Sequence, residues 1–374
     1  SIICLVLAVF TSCNDLDLLP LSEASTDSWY SAAEELEMAA NEFYKMGFWY
    51  LATSELNVST DNFTYRNTNR TEILNGTLNG QTWYVTNIWK QSYKLITLTN
   101  TFLNKTENLE ITGVSVAQMR QYRAEAFFTR ACKYADLITF FGDVVYLDKN
   151  IYIEEALEKG RTPKSEVIPL VYADFDKAID DLPVSYSAAS KQRFTKGAAM
   201  AMKARFALYN GDWDIVEKMT KACMDLGIYG LHPDFSELFL TTTGVSKEKV
   251  FLIPRSVEFN VLFDGWVVNN TITRNATGYG SALPSWELLA SFLCTDGLPI
   301  DKSPLFDPRN PFKNRDPRCT ATIVEFNTPH LGFEFDPHPD ALTVMNYNTG
   351  KMQTNNDNRA VAQYASFNGL VWKK

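Results

Sequence analysis

Long apolar runs and an excess of basic residues are both missing from this sequence of 374 residues. The apolar stretch near its start, residues 2–10, has nine residues, whereas a helix that crosses a bilayer needs about 20. Lys and Arg number 35 against 44 Asp and Glu, so the net charge is −9. Because no basic block is present to attract phosphates, the composition argues against a nucleic-acid partner.

Histidine and cysteine are also scarce, with three and six residues. The histidines lie far apart, no Cys-x-x-Cys pair occurs, and the common zinc, nucleophile and phosphate-loop motifs are absent. We therefore expect no metal, no cofactor and no catalytic activity. Cys132 and Cys223 fall in helical patterns and are predicted to be small buried hydrophobic residues. Cys294 and Cys319 are either buried in the same way or joined by a disulfide.

The short apolar run at the start ends in Thr11-Ser12-Cys13, and acidic residues follow at once. Such a run fits the apolar centre of a secretory signal, and a small residue before the cysteine is typical of a bacterial lipobox. We expect residues 1–12 to be the end of a signal peptide, clipped before its basic start, and Cys13 to carry lipid. The alternative is a buried N-terminal strand or helix with an incidental cysteine.

Residues 13–229 are predicted to be mainly helical. Apolar residues recur there with the 3.6-residue period of an amphipathic helix, and Gly142 and Gly211 are predicted to end two of the helices. Small residues stand where neighbouring helices must approach closely, which favours antiparallel helix pairs with tetratricopeptide-like packing. The predicted helical segments are 29–47, 89–103, 124–141, 167–182, 198–209 and 213–226.

Residues 230–374 have a different character, because eleven of the fifteen prolines lie there. Proline shortens regular helices, so this second part is predicted to be loop-rich and mixed. We expect short helices, strands at 250–253 and 320–325, and long ordered loops of the kind that often carry binding sites.

Six segments in this order resemble the SusD/RagB family of outer-membrane nutrient-binding lipoproteins of Bacteroidetes-type bacteria. The helix at 122–131 and the turn that follows it are similar to the hallmark of that family. The segments are CNDLDLLP at 13–20, YRAEAFFTRA at 122–131 with FGDV at 141–144, RTP at 161–163 through YADF at 172–175 to DLP at 181–183, TKGAA at 195–199 with KAR at 203–205, TDG at 295–297 and RDPR at 315–318.

The resemblance implies a mainly α fold, with a helical base at 13–229 and a loop-rich region at 230–374. It also implies a non-catalytic glycan- or nutrient-capturing lipoprotein, lipid-anchored in the outer membrane and exposed at the cell surface. Such a protein passes its ligand to a SusC-like TonB-dependent transporter. The closing helical segment usual in the family is not found, so we expect a chain truncated at its C-terminus.

Glycans are bound by aromatic rings that stack on sugar faces, and by amides and arginines that hydrogen-bond to hydroxyls. Trp29, Trp89 and Trp213 stand on or beside helical stripes and are predicted to pack in the core. Aromatic residues in loops are the candidates for binding, and each of them is alternatively a loop anchor packed on the body. We expect one loop to meet a second one. The first supplies Trp83, Tyr65 and Arg66, and the second supplies Trp266, Tyr279 and Trp286.

Two other functions remain open from the residues. A glycoside hydrolase needs two carboxylates about 5 to 9 Å apart in a cleft, and Asp296, Asp301 and Asp316 are candidates for such a pair. A helical scaffold of this kind can also bind peptides, as some members of the resembled family do. The aromatic and Asn/Thr-rich loops favour a glycan, whereas a deep apolar or strongly charged groove would favour a peptide.

Overall fold

The computed structural model describes residues 29–49, 60–66, 72–187, 193–240, 243–253, 256–258, 260–262 and 265–373. Eight α-helices of the described chain precede residue 230. They are α1 Ala33–Asn41, α2 Glu72–Asn75, α3 Trp83–Lys105, α4 Val116–Phe141, α5 Ile153–Glu158, α6 Lys164–Asp181, α7 Lys196–Asn210 and α8 Trp213–Asp225. Two 3₁₀ turns, Glu42–Tyr44 and Met46–Phe48, follow α1.

The second half contains short elements only, as far as it is described. They are α9 Gly265–Thr271, α10 Trp286–Ser291 and α11 Pro317–Thr322, with strands β2 Ala282–Pro284, β3 Thr328–His330, β4 Phe333–Phe335, β5 Thr343–Asn346 and β6 Lys351–Thr354. Strands β3 to β6 form one antiparallel meander, while β2 pairs with β1, Phe63–Tyr65, from the first half. The predicted mainly α fold with a mixed, loop-rich second half is confirmed.

Local signals set the ends of the long helices. Ser115 caps α4 by accepting the N–H of Gln118 at 3.2 Å, and Thr195 caps α7 by accepting that of Ala198 at 3.1 Å. Gly142 (φ 69°) ends α4 and Gly211 (φ 79°) ends α7, both with a positive φ that glycine adopts without strain. Both predicted helix stops are confirmed.

The core of the base lies where successive helices pack on one another. Helix α4 packs against α3 and α6, α6 packs against α7, and α7 packs against α8. Phe128 of α4 and Phe175 of α6 are fully buried and meet edge to face. The helix pairs predicted from periodicity are therefore present. Leu208 and Tyr209 in the last turn of α7 are exposed.

Two buried ion pairs fasten α4 to its neighbours. Arg130 donates from Nε and Nη2 to both carboxylate oxygens of Asp174 in α6, at 2.7 and 2.9 Å. Arg193, just before α7, grips Glu125 in the same bidentate way, at 2.8 and 2.7 Å. Both pairs are largely or wholly withdrawn from water, so each charge depends on its partner.

The three helix-stripe tryptophans differ in their outcome. Trp89 packs against the core and contacts Phe141, as predicted, and Trp29 is half-buried. Trp213 is 66% exposed, so its predicted core position is wrong. Helix α8 buries the face that carries Met219 and Cys223, and six residues at 3.6 per turn place Trp213 roughly 120° around the helix from Met219.

The predicted strands at 250–253 and 320–325 are wrong. Residues 250–253 form no regular element, and the first half of the second segment lies in α11. Asp316 caps α11 by accepting the N–H of Arg318, and Pro317 opens it, which outweighs the β-branched residues that follow. Only Ile323 and Val324 pair in an extended manner, with Trp372 and Val371 near the end of the chain.

The four cysteines of the described residues are free and buried. The alternative of a disulfide between Cys294 and Cys319 is therefore wrong. The backbone of Cys294 pairs with that of Arg315 instead, and Cys319 packs in a cluster with Leu289 and Phe312. Cys132 and Cys223 are buried in their helices, as predicted.

We expect His330 in β3 to make the fold less stable in mild acid. Burial, aided by the charge of Lys373, lowers the pKa of His330 from 6.5 to about 4. Between these values the unfolded chain binds a proton that the native chain does not, so stability is lost as the pH falls from about 6.5 to about 4. Because His330 is only partly buried, we expect a loss of about 1–2 kcal/mol.

Urea unfolding at several pH values measures this effect. The His330→Gln variant should lack this part of the acid slope, whereas His338→Gln, at an exposed histidine, should keep it. A slope unchanged in His330→Gln would contradict the prediction.

Candidate functional site

The two-stranded sheet brings the first predicted loop against the second. Phe63 of β1 pairs with Pro284 of β2, and Tyr65 pairs with Ala282. The N–H of Arg66 then donates to the carbonyl oxygen of Ser281 at 2.8 Å. Residues more than 200 positions apart in the chain are thus neighbours, as the sequence suggested for these two loops.

The side chain of Arg66 connects three segments. Its Nη2 donates to the carbonyl oxygen of Tyr279 at 2.8 Å, and its Nη1 donates to that of Ala365 at 3.0 Å. The guanidinium also lies 5.2 Å from the ring centre of Tyr364. Desolvation and the nearby charge of Arg274 lower the pKa of the Arg66 guanidinium below its usual value. Arg66 thereby holds the segment of Tyr279 next to the segment of Tyr364. Both rings are about half exposed, at 50% and 54%.

The turn that presents Tyr279 has little freedom. Gly278, just before it, stands so that an added Cβ would clash sterically with the backbone carbonyl oxygen of Ile272. The N–H of Gly278 donates to the carbonyl oxygen of Thr273 at 2.8 Å, and Arg274 Nη1 donates to that of Gly278 at 2.9 Å. These bonds fix the backbone position from which the side chain of Tyr279 projects.

Trp286, the first residue of α10, borders a cleft on the second half of the molecule. Ser285 caps that helix, and the indole N–H of Trp286 donates to the carbonyl oxygen of Asn368 at 3.0 Å. The ring is 44% exposed. The Trp286 cleft has a volume of about 510 Å³, and its polar lining consists of Arg309, Asn327, Asp336, His338, Asp357, Asn358, Arg359, Ser366 and Asn368.

A buried network of amides and one carboxylate builds the wall of the cleft. Asn355 Nδ2 donates to the carbonyl oxygens of Asp336 and Ala341, and Asn358 Nδ2 donates to that of His338, all at 2.8 Å. Asp357 accepts the N–H groups of Arg274 and Asn275 at 2.8 and 3.1 Å. Satisfied buried networks of this kind hold loops rigidly, so the wall is preorganised.

The Trp286 cleft and the Arg66–Tyr279 contact share one stretch of chain. Tyr364 lies at the end near Arg66, and Asn368 bonds to Trp286 at the other. Four residues span at most about 14 Å. Exposed aromatic rings thus lie near both ends of this short stretch, beside the polar lining of the cleft. Such an arrangement can stack on flat apolar faces and hydrogen-bond to hydroxyls.

The other candidates have separate outcomes. Tyr65 is half-buried in β1, and Trp83 is exposed at the first residue of α3. Trp266 belongs to α9, but its side chain lies outside the described residues, as does Cys13. A common site for Trp83 and Trp266 with Arg66 stays a prediction.

Sequence reasoning missed the segment 336–369, which supplies most of the cleft. The only signal there is the run Asn355-Asn356-Asp357-Asn358, which resembles an exposed turn. Three of its four residues are instead fully buried.

The three carboxylates considered for glycoside hydrolysis are held by local contacts. Asp296 accepts the hydroxyl of Ser303 at 2.7 Å, and Asp316 caps α11 and pairs with Arg318. These hydrogen bonds lower the pKa of both carboxyls, whereas a general acid needs a raised one. Asp301 is exposed beside Lys302.

The described residues contain neither a metal-binding cluster nor a membrane-spanning helix. Among them, no cluster of three or more His, Cys, Asp or Glu side chains could hold a metal ion. No helix within the described ranges has the length and apolar character needed to cross a membrane.

Among curated proteins, SusD-like protein P2 of Formosa agariphila is 26% identical over 267 residues, which cover 66% of this chain and 51% of that protein. The chain therefore spans about half the length of that relative.

Solved structures share the fold. A SusD-like carbohydrate-binding protein from Bacteroides fragilis superposes with a TM-score of 0.78 at 24% identity, over 92% of this chain and 67% of that one. A structure solved with xylogluco-oligosaccharide superposes with a TM-score of 0.60 at 16% identity, over 86% of this chain and 61% of that one.

A family model decides the membership. The SusD-like model described as "Starch-binding associating with outer membrane" matches residues 16–208, just over half of the chain. This region contains the hallmark helix α4 and the helices packed around it. The chain belongs to this SusD-like family.

Proposed function

We propose that this protein captures a glycan and performs no chemistry on it. The observation that carries the proposal is Trp286, a half-exposed ring whose N–H is already bonded and whose cleft is lined with amides and arginines. A ring fixed in this way can stack on a sugar face without loss of rotamer entropy on binding. The names of the relatives, a carbohydrate-binding protein and a complex with xylogluco-oligosaccharide, support a glycan as ligand.

In this proposal Tyr279, Tyr364 and Arg66 extend the binding surface beyond the cleft. The rings of Tyr279 and Tyr364 lie at one end of the stretch 364–368, and the ring of Trp286 lies at the other. This arrangement suits a chain of sugars better than a single sugar. Trp83, Tyr65 and Trp266 remain candidates for contacts farther along the same glycan.

The proposed cellular setting follows from family membership and from the start of the chain. Lipid on Cys13 would anchor the protein in the outer membrane with its body facing outward, and several acyl chains make such an anchor stable. The captured glycan would then pass to a SusC-like TonB-dependent transporter. Protease treatment of intact cells should degrade the protein, and its full survival would contradict the surface placement. Co-purification with such a transporter from solubilised membranes tests the transfer step.

Binding to a panel of polysaccharides and peptides tests the function itself. We expect retardation of the protein in native gels that contain one class of polysaccharide, and a calorimetric signal with its oligomers. No new reducing ends should form on incubation. Peptide binding without any glycan binding would show that the protein captures peptides instead. New reducing ends would overturn the non-catalytic assignment.

A further inference from the structure

We infer that the Trp286 cleft selects an anionic glycan, whose sugar rings carry carboxylate or sulfate groups. The inference rests on the proposed function and concerns the same cleft. It is drawn from the charges that line it. Arg309 and Arg359 are both exposed there, and neither forms an ion pair within the described part of the chain.

Arginines of this molecule are partnered in two ways. Arg130 and Arg193 each bind a carboxylate, whereas Arg315 donates only to carbonyl oxygens. Arg359 belongs to the second kind, since its side chain donates to the carbonyl oxygen of Phe367 at 3.2 Å. A carbonyl orients a guanidinium but leaves its full charge, and the planar donor fork matches the paired oxygens of a carboxylate or sulfate.

The acidic residues of the cleft cancel this charge only in part, since Asp357 is buried and Asp336 is the one partly exposed carboxylate of its lining. Asp357 is 2% exposed and is occupied by two backbone N–H groups and the hydroxyl of Ser366. Burial raises the pKa of the Asp357 carboxyl, which disfavours its charged form. Asp336 accepts the N–H of His338 at 2.9 Å, and Asp340 stands outside the lining, 3.8 Å from the His338 ring.

Arg66 adds a third cation on the neighbouring surface. Its guanidinium bonds to two carbonyl oxygens and lies over the ring of Tyr364, and it belongs to no ion pair among the described residues either. The positive charges therefore follow the stretch 359–368, along which the aromatic rings also lie. A ligand with repeated negative charges would meet both features together.

Matched pairs of glycans test the inference and separate its two possible anions. Polygalacturonate is compared with its methyl ester, which is uncharged, and a sulfated galactan is compared with the unsulfated polymer. Calorimetry with the whole protein should give an affinity about tenfold or more higher for one of the charged forms than for its neutral match. That preference should shrink as salt is raised.

Arginine variants connect the preference to the cleft. Arg309→Gln and Arg359→Gln should each lower the affinity for the charged glycan about tenfold and leave any binding of the neutral match within about twofold. Lys221→Gln removes an exposed positive charge on α8 and is the matched control, expected to change neither. Melting curves of all three variants should overlap that of the wild type.

The possible outcomes are distinct. Equal affinity for charged and neutral matches, or arginine variants that behave like Lys221→Gln, would overturn the anionic preference while the glycan-binding proposal stands. Binding of neutral polysaccharides alone would do the same. The absence of any glycan binding would overturn both.

Discussion

Replacing Arg130 with methionine is expected to lower the free energy of unfolding by about 3–5 kcal/mol. The variant removes both hydrogen bonds to Asp174 and a third, at 2.8 Å, to the side-chain oxygen of Asn100. It leaves the Asp174 carboxylate buried between α4 and α6 without its main partner. Lys177 lies 3.5 Å from this carboxylate but is mostly exposed, so it can replace only part of the interaction.

Urea unfolding of three variants isolates the cause. Lys221→Met breaks the exposed pair with Asp225 and should cost less than about 1 kcal/mol. The double variant Arg130→Met/Asp174→Leu should regain more than half of the loss, because two apolar side chains leave no unpaired charge in the core. Equal costs for Arg130→Met and Lys221→Met would show that the buried pair does not stabilise the helices.

The predictable parts of this fold are those that depend on near neighbours in sequence. The stripe that includes Phe128 and Ile138, and the stop at Gly142, need only the helical period and a positive φ. The segment 122–131 has a structural role, since Arg130 and Glu125 of that segment bind two other parts of the base. Local patterns carry this information because helices form from contacts three and four residues apart.

Two errors show where local patterns mislead. The segment 320–325 has β-branched residues, yet Asp316 and Pro317 start a helix before it. Trp213 fits a helical stripe, yet only packing against α7 decides which face of α8 is buried. In the first case a helix-start signal just upstream outweighs the β-branched residues, and in the second the deciding contact is with another helix.

Only part of the candidate site could be predicted from the sequence, because the rest depends on contacts between distant segments. Loop aromatics such as Tyr279 and Trp286 could be named, because stacking chemistry is a property of the residue type. The pairing of Phe63 with Pro284 could not be derived from any short pattern. The wall of the cleft was hidden more completely, because Asn355 and Asn358 are buried amides whose partners lie up to 80 residues away in the chain.

Truncation of Trp286 to alanine is expected to weaken glycan binding about 30-fold, which corresponds to about 2 kcal/mol. The ring supplies the flat face that borders the cleft, and its N–H bond to Asn368 fixes the orientation. Trp286→Phe keeps a flat but smaller ring and loses that hydrogen bond, so it should retain affinity within about fivefold of the wild type.

Trp213→Ala is the matched control for this measurement, because it removes a tryptophan that is even more exposed, on α8 in the helical base. It should leave affinity unchanged if the cleft is the site, whereas equal losses in Trp213→Ala and Trp286→Ala would place binding elsewhere.

Trp83→Ala in the same assay decides whether the binding surface reaches the start of α3. A melting temperature that stays unchanged while affinity falls identifies a binding residue, and a drop in both identifies a loop anchor. Trp286 makes one hydrogen bond and is nearly half exposed. Its removal should therefore lower the affinity for the glycan and change the melting temperature little.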